Sequence, residues 1–128
     1  MNLHKRLVID LDGTLTQAET DDYANVAVNQ DVAAKVREYK AMGFEIVIHT
    51  SRNMRSHNSS LGRINAKTLP IILEWLKKHD IPYDEIWVGK PWCASDGFYV
   101  DDKAIRPDEF ARLSYDEVRA LIGLGPQA

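Results

Sequence analysis

An apolar run of three residues, Leu7-Val8-Ile9, delivers Asp10, then Asp12, Gly13 and Thr14. Apolar and β-branched residues stopped by Asp-Gly read as a buried strand that ends in a turn. That strand carries two carboxylates, at i and i+2, out of its carboxyl end. Such a pair is costly beside an apolar core unless a cation sits between the acids. The stretch therefore asks the rest of the chain for a sheet to hold the strand and for charge to balance Asp10 and Asp12. The expectation it raises is a magnesium ion held by the two acids, with Asp10 attacking a phosphate.

Downstream, predicted strands and helices alternate. Residues 5–10 are the first strand. Residues 16–30 are polar and acidic (Glu19, Asp21, Asp22), with Tyr23 and Val26 packing inward, and are too few for a second domain. Asp31 can cap a helix in which Val32, Val36 and Tyr39 share a face, and Gly43 stands at its stop. Residues 44–49 form a second strand and residues 53–63 a polar loop. A helix then runs to about His79, with Leu69, Ile72, Leu73 and Leu76 on its buried side and Pro70 in its first turn. Residues 86–88 and 98–100 read as third and fourth short strands. Ser114 and Glu117 have capping-box spacing for a last helix, ended near Gly123. The alternation predicts one α/β domain over residues 1–128, three-layered and Rossmann-like, with a mostly parallel central sheet between helices. In such sheets ligands bind at the carboxyl ends of the strands.

The chain has 128 residues, enough to bury one real core. Its formal net charge of −3 gives no basis for a polyanionic partner such as duplex nucleic acid. Cys93 is the single cysteine, which excludes an internal disulfide and fits a reducing compartment. The polar start, Met1 to Arg6, leads into an apolar run too short for a signal peptide or a membrane span. A cytoplasmic protein with no membrane partner is the expectation. His4, His49, His57 and His79 show no metal-ligand spacing, and Cys93 has no evident base partner.

Every predicted strand is followed by chemistry-bearing residues. Asp10, Asp12, Gly13 and Thr14 follow the first, and Thr50, Ser51 and Arg52 the second. Lys90, between Gly89 and Pro91, follows the third, and Asp101 and Asp102 follow the fourth. Singly, each is an ordinary turn or cap residue. The order Asp-x-Asp-Gly-Thr, Thr, Lys-Pro, Asp-Asp resembles the haloacid-dehalogenase superfamily of phosphohydrolases, over about residues 7–105. The short segments after the first two motifs resemble its capless subgroup, with minimal or no cap. Gly89-Lys-Pro-Trp-Cys and Tyr99-Val-Asp-Asp-Lys-Ala-Ile-Arg-Pro resemble small bacterial members linked with capsule or surface-polysaccharide biosynthesis.

The resemblance implies a Mg²⁺-dependent phosphatase acting through an aspartyl-phosphate. Asp10 would bind metal through one carboxylate oxygen and attack phosphorus with the other. Asp12 would ligate the metal through its backbone carbonyl, while its side chain protonates the leaving alkoxide and then activates water. For that it must start protonated, which crowding by Asp10, Asp101 and Asp102 favours. Gly13 and Thr14 would let backbone N–H groups face the phosphate. Thr50 and the Ser51 N–H would hold the transferring group, and Lys90 would neutralise it. Asp101 and Asp102 would complete the metal site, one directly and one through water.

Arg52, Arg55, Arg63 and Lys67 place four cations around a polar loop. Arg52 and Arg55 are the candidates to contact substrate beyond its phosphate, and Trp92 to line the pocket; Arg63 and Lys67 suit a solvated loop equally well. The expected substrate is a small sugar or polyol phosphate. A capless enzyme must exclude water by other means, so a homo-oligomer is plausible. A phosphoacceptor receiver domain is disfavoured, because its phosphorylated Asp would follow the third strand. A polynucleotide 3′-phosphatase and a non-catalytic binding protein on the same fold are the alternatives.

Overall fold

The computed structural model of the chain describes residues 1–17 and 21–127. They form two compact units, Met1–Trp92 and Cys93–Ala128. The first holds a parallel three-stranded sheet in the order β1 (Arg6–Ile9), β2 (Glu45–Thr50), β3 (Glu85–Val88). Ile9 pairs with Ile48 across one ladder, and Thr50 with Val88 across the other. Parallel neighbours require crossovers. Helix α1 (Gln30–Ala41) makes the first, and a helical run over residues 61–78 the second. This is an α/β architecture compatible with a Rossmann-like fold. Thr50 is the last residue of β2 rather than the first beyond it.

Helix α1 starts two residues earlier than Asp31 would place it. Asn29 is the cap, its side chain accepting from the Val32 N–H. Asp31 instead lies in the first turn, where a negative charge suits the positive end of the helix. Val32, Ala33, Val36 and Tyr39 are buried, and Gly43 ends the helix at φ +94°, a conformation that favours glycine.

The second crossover begins inside the predicted loop. It comprises α2 (Leu61–Arg63), a π turn (Ile64–Thr68) and α3 (Leu69–Lys78). The Leu69 N–H donates five residues back, to the Ile64 carbonyl. That wider turn comes directly before Pro70, which has no N–H to donate and crowds the preceding turn. Ile64, Thr68, Ile72, Trp75 and Leu76 are buried, whereas Leu73 is exposed and Leu69 only half-buried. The Trp75 indole N–H donates to the Val26 carbonyl at 2.9 Å, which ties residues 21–29 to α3. Thr16 and Val28 form an antiparallel bridge, and the Asn29 N–H donates to the Leu15 carbonyl at 2.7 Å. The segment after the first motif thus folds back beside it, with Val26 buried and Tyr23 half-buried. Glu19 lies outside the described residues.

The second unit contains α4 (Pro107–Arg112) and α5 (Tyr115–Leu121). The capping box at α5 forms as its spacing predicts: Ser114 Oγ accepts from the Glu117 N–H at 3.2 Å, and the Glu117 carboxylate from the Ser114 N–H at 3.0 Å. Helix α4 was not anticipated, although Pro107 at its start with Asp108 and Glu109 in the first turn are start signals. The fourth predicted strand is a correction. Residues 97–100 adopt no strand, and Phe98 and Val100 are exposed. Three apolar residues carry strand propensity, but a strand exists only through a ladder with a neighbour. No helix among the described residues is long and apolar enough to cross a membrane.

Candidate active site

The first motif is shaped by Leu11, which is fully buried. Its carbonyl accepts from the N–H groups of Thr14 (3.2 Å), Leu15 (2.9 Å) and Thr16 (3.1 Å), so the chain curls sharply past the end of β1. Gly13 takes φ +78° in this curl and donates its N–H to Thr16 Oγ1 at 2.9 Å. Asp10 and Asp12 therefore leave the turn on either side of a buried anchor.

Asp10 is accessible, its side chain one-third exposed at 33%. Its Oδ2 accepts from the Thr14 hydroxyl at 3.2 Å, and its Oδ1 lies 3.6 Å from Lys90 Nζ. Lys90 is brought there by the sheet: its N–H donates to the Thr50 carbonyl at 3.1 Å, just beyond β3. Gly89, at φ +87°, makes the approach, and a Cβ there would come within 2.6 Å of Leu61 Cδ2. Thr50 is buried, with Oγ1 accepting from the Arg52 N–H at 3.1 Å, and Ser51 is half-buried beside it. Asp10, Thr14, Thr50, Ser51 and Lys90 thus collect at the carboxyl ends of the strands.

Asp12 has a different environment. Both its oxygens accept from Arg52, Oδ2 from Nε at 3.0 Å and Oδ1 from Nη2 at 2.7 Å. The Arg52 side chain is 1% exposed, and its guanidinium lies 4.1 Å from the centre of the Tyr23 ring. Its Nη1 is buried and has no hydrogen-bond partner among the described residues. Arg52 was expected to reach substrate, and Asp12 to be crowded by other acids. Instead the two pair with each other. β1 and β2 are adjacent, so the residue two beyond β2 meets the residue three beyond β1, a relation that strand order alone supplies.

Arg55 is exposed, its guanidinium 5.4 Å from the centre of the Trp92 ring, and Arg63 and Lys67 are exposed. His49, read from sequence as structural, is half-buried at the end of β2 and feels two site residues. Burial, and then the Lys90 ammonium, hold its imidazole below the ordinary histidine range, against the opposing pull of Asp10. Tyr23 is the other neighbour that sequence gave no reason to place in the site. Asp101 and Asp102 belong to the second unit, where both are exposed and the Asp101 carboxylate accepts from the Lys103 N–H at 2.9 Å.

The donor chemistry of the first motif fits a hard cation, which takes oxygen ligands. The Asp10 carboxylate and the Asp12 backbone carbonyl are such donors, while Arg52 occupies both Asp12 side-chain oxygens. Among the described residues no group of three or more His, Cys, Asp or Glu side chains is gathered to hold a metal. Any ion at Asp10 would therefore take much of its coordination from water and phosphate, as Mg²⁺ ordinarily does.

The chain superimposes on the crystal structure of a structural-genomics target from Vibrio cholerae with a TM-score of 0.91. The two are 59% identical, over 93% of this chain and 97% of that one. This chain belongs to the same family. Its fold is also like that of a chain in the structure of the Pnkp1/Rnl/Hen1 complex, with a TM-score of 0.51 and 22% identity over 77% of this chain and 30% of that one. A chain of the Pnkp1/Rnl/Hen1 RNA repair complex matches over 66% of this chain and 25% of its own length, at 23% identity and a TM-score of 0.49. No protein-family model matches the sequence, and no curated protein does.

Proposed function

We propose that the protein is a Mg²⁺-dependent phosphate monoester hydrolase of haloacid-dehalogenase type, acting through an aspartyl-phosphate at Asp10. The observation that carries this reading is the setting of Asp10. It is an accessible carboxylate at the carboxyl edge of a parallel sheet, with Lys90 Nζ at 3.6 Å and the Thr14 hydroxyl at 3.2 Å. A carboxylate nucleophile is repelled by a phosphate dianion until that charge is neutralised. Lys90 offers one fixed charge for this, and a bound Mg²⁺, held by the Asp10 carboxylate and the Asp12 carbonyl, would supply the rest.

Each residue then has a task. Asp10 attacks phosphorus in line with the leaving oxygen, and the side chain of Asp12 delivers a proton to that oxygen. Gly13, Thr14, Thr50 and the Ser51 N–H orient the transferring group. Water attacks the aspartyl-phosphate while Asp12 takes its proton, which restores Asp10. Arg55, beside the Trp92 ring, is exposed and able to meet the remainder of a substrate. A small sugar or polyol phosphate is the substrate class proposed, and the link to surface polysaccharide rests on the likeness of residues 89–93 and 99–107 alone.

A polynucleotide 3′-phosphatase is the second reading, and the chain's formal charge of −3 weighs against it. A screen of sugar phosphates, polyol phosphates, nucleotides and 3′-phosphorylated oligonucleotides, with and without Mg²⁺, separates the two. Hydrolysis of a small phosphate ester that stops on chelation is expected. Preferential release of phosphate from oligonucleotide ends would favour the second reading, and no turnover of any ester would leave a binding protein.

A further inference from the structure

Arg52 is an unusual residue to bury. Its side chain is 1% exposed, yet one of its nitrogens, Nη1, has no hydrogen-bond partner among the described residues. Buried donors are nearly always paired, and a buried ion pair is a poor source of stability relative to apolar packing. What the arginine does achieve is geometric. Two parallel N–H···O bonds fix both the position and the plane of one carboxylate, a grip that only a guanidinium fork provides. The carboxylate is Asp12, two residues from the accessible Asp10. Arg52 also lies over Tyr23, its guanidinium 4.1 Å from the ring centre, and residues 21–29 are tied down through the Trp75 bond to Val26. Its own N–H donates to Thr50 Oγ1 at 3.1 Å, which links it to the end of β2.

We propose that Arg52 is a positioning residue: stacked on Tyr23, it holds the Asp12 carboxylate in the orientation that activates water against the aspartyl-phosphate, so that it serves the second half-reaction more than the first. This rests on the phosphatase reading above. In the first half-reaction a bond forms between an Asp10 oxygen and phosphorus as the ester P–O bond breaks, and the proton of the Asp12 carboxyl passes to the leaving oxygen. A carboxyl that carries a proton must loosen one of its two bonds to Arg52. In the second, the oxygen of water bonds to phosphorus, its proton goes to Asp12, and the P–O bond to Asp10 breaks. There Asp12 starts as the doubly held carboxylate that the structure contains. Lys at position 52 keeps the charge but cannot grip both oxygens in one plane.

The experiment compares full-length wild type, Arg52→Lys, Arg52→Gln and Tyr23→Leu on the ester the screen identifies, with folding checked by thermal melting. The phosphoenzyme present at steady state is trapped by acid quench and quantified by mass spectrometry. The expected result for Arg52→Lys is a kcat reduced ~10-fold or more, a KM reduced or unchanged, and a several-fold larger phosphorylated fraction. Tyr23→Leu should shift the same quantities in the same direction by less. An unchanged phosphorylated fraction with kcat and kcat/KM lowered equally would reduce Arg52 to a structural residue. A raised KM with unchanged kcat would make it a substrate contact instead. If Arg52→Gln or Arg52→Lys does not fold, the nitrogen-15 spectrum of wild type decides: the Arg52 Nε–H should exchange slowly in wild type and rapidly in Asp12→Asn. Rapid exchange in wild type overturns the proposal. A wild type that turns over no ester removes the phosphatase reading and the proposal together, whereas an active wild type with unremarkable Arg52 variants removes the proposal alone.

Discussion

The two acidic turns of this chain make an instructive contrast. Asp10 and Asp12 flank a fully buried leucine at the end of β1, and their partners, Thr14, Lys90 and Arg52, are placed by three elements of one parallel sheet. Asp101 and Asp102 stand in a unit of two short helices, both exposed, with a local bond from the Lys103 N–H to the Asp101 carboxylate. The first turn is built into a core, and the second is a surface feature of its own unit. Similar residue types thus carry different structural consequences: charge at a sheet edge is positioned by strand register, whereas charge in an irregular segment is positioned only by what it binds.

The largest effect that sharpens this contrast is on turnover. Asp10→Asn should lower the hydrolysis rate by on the order of 10³-fold or more, because the amide is no nucleophile. Asp101→Asn and Asp102→Asn, at the acids that the haloacid-dehalogenase resemblance assigns to the metal, should instead raise the Mg²⁺ concentration needed for half-maximal rate. A Mg²⁺ requirement unchanged in both variants would remove the second turn from the metal site.

Stability should divide the turns in the same way. Arg52→Ala strands a partly buried Asp12 and is expected to cost ~3 kcal/mol, read from urea unfolding. Asp101→Ala should stay within about 0.5 kcal/mol of wild type, as exposed substitutions do. Equal costs at the two positions would break the comparison. Trp75→Ala, which removes a buried ring and its bond to the Val26 carbonyl, serves as a core reference at ~3–5 kcal/mol.

The smallest effect is on pH dependence, again in the first unit. His49 is held below the ordinary histidine range by burial and Lys90, and His79 by burial and Lys78. The unfolded chain therefore binds more protons than the folded one as pH falls through about 6.5. Their contribution is intact above that value and is lost as pH drops through the lower folded values. The carboxylates act later. Asp84 is held below its usual range by Lys40 and the Ile46 N–H, so its contribution is lost only in more acid solution. Melting temperature should thus fall between pH 7 and 5, and His49→Gln with His79→Gln should flatten the fall.

Much of the first unit was legible because its signals are local. The apolar run ending at Asp10 and the Gly43 stop, like the Ser114–Glu117 box of the second unit, are each decided within a few residues. The gathering of Asp10, Thr50 and Lys90 followed from one general property of parallel sheets, that their carboxyl ends lie on one edge. What was not legible depends on partners far along the chain. Arg52 read as a free cation because its partner, Asp12, lies 40 residues away. The buried face of α3 includes Trp75, whose indole bonds the Val26 carbonyl 49 residues away, and leaves Leu73 exposed. The strand over residues 98–100 was inferred from apolar side chains, which say nothing of a ladder.

The central claim is that Asp10 becomes phosphorylated during hydrolysis of a small phosphate ester. Borohydride reduction of the enzyme during steady-state turnover, followed by peptide mass spectrometry, reads this directly. The reduced acyl product is expected at Asp10, present with Mg²⁺ and absent after chelation or in Asp10→Asn. Turnover at full rate with no label on Asp10, or label on another residue, would contradict it.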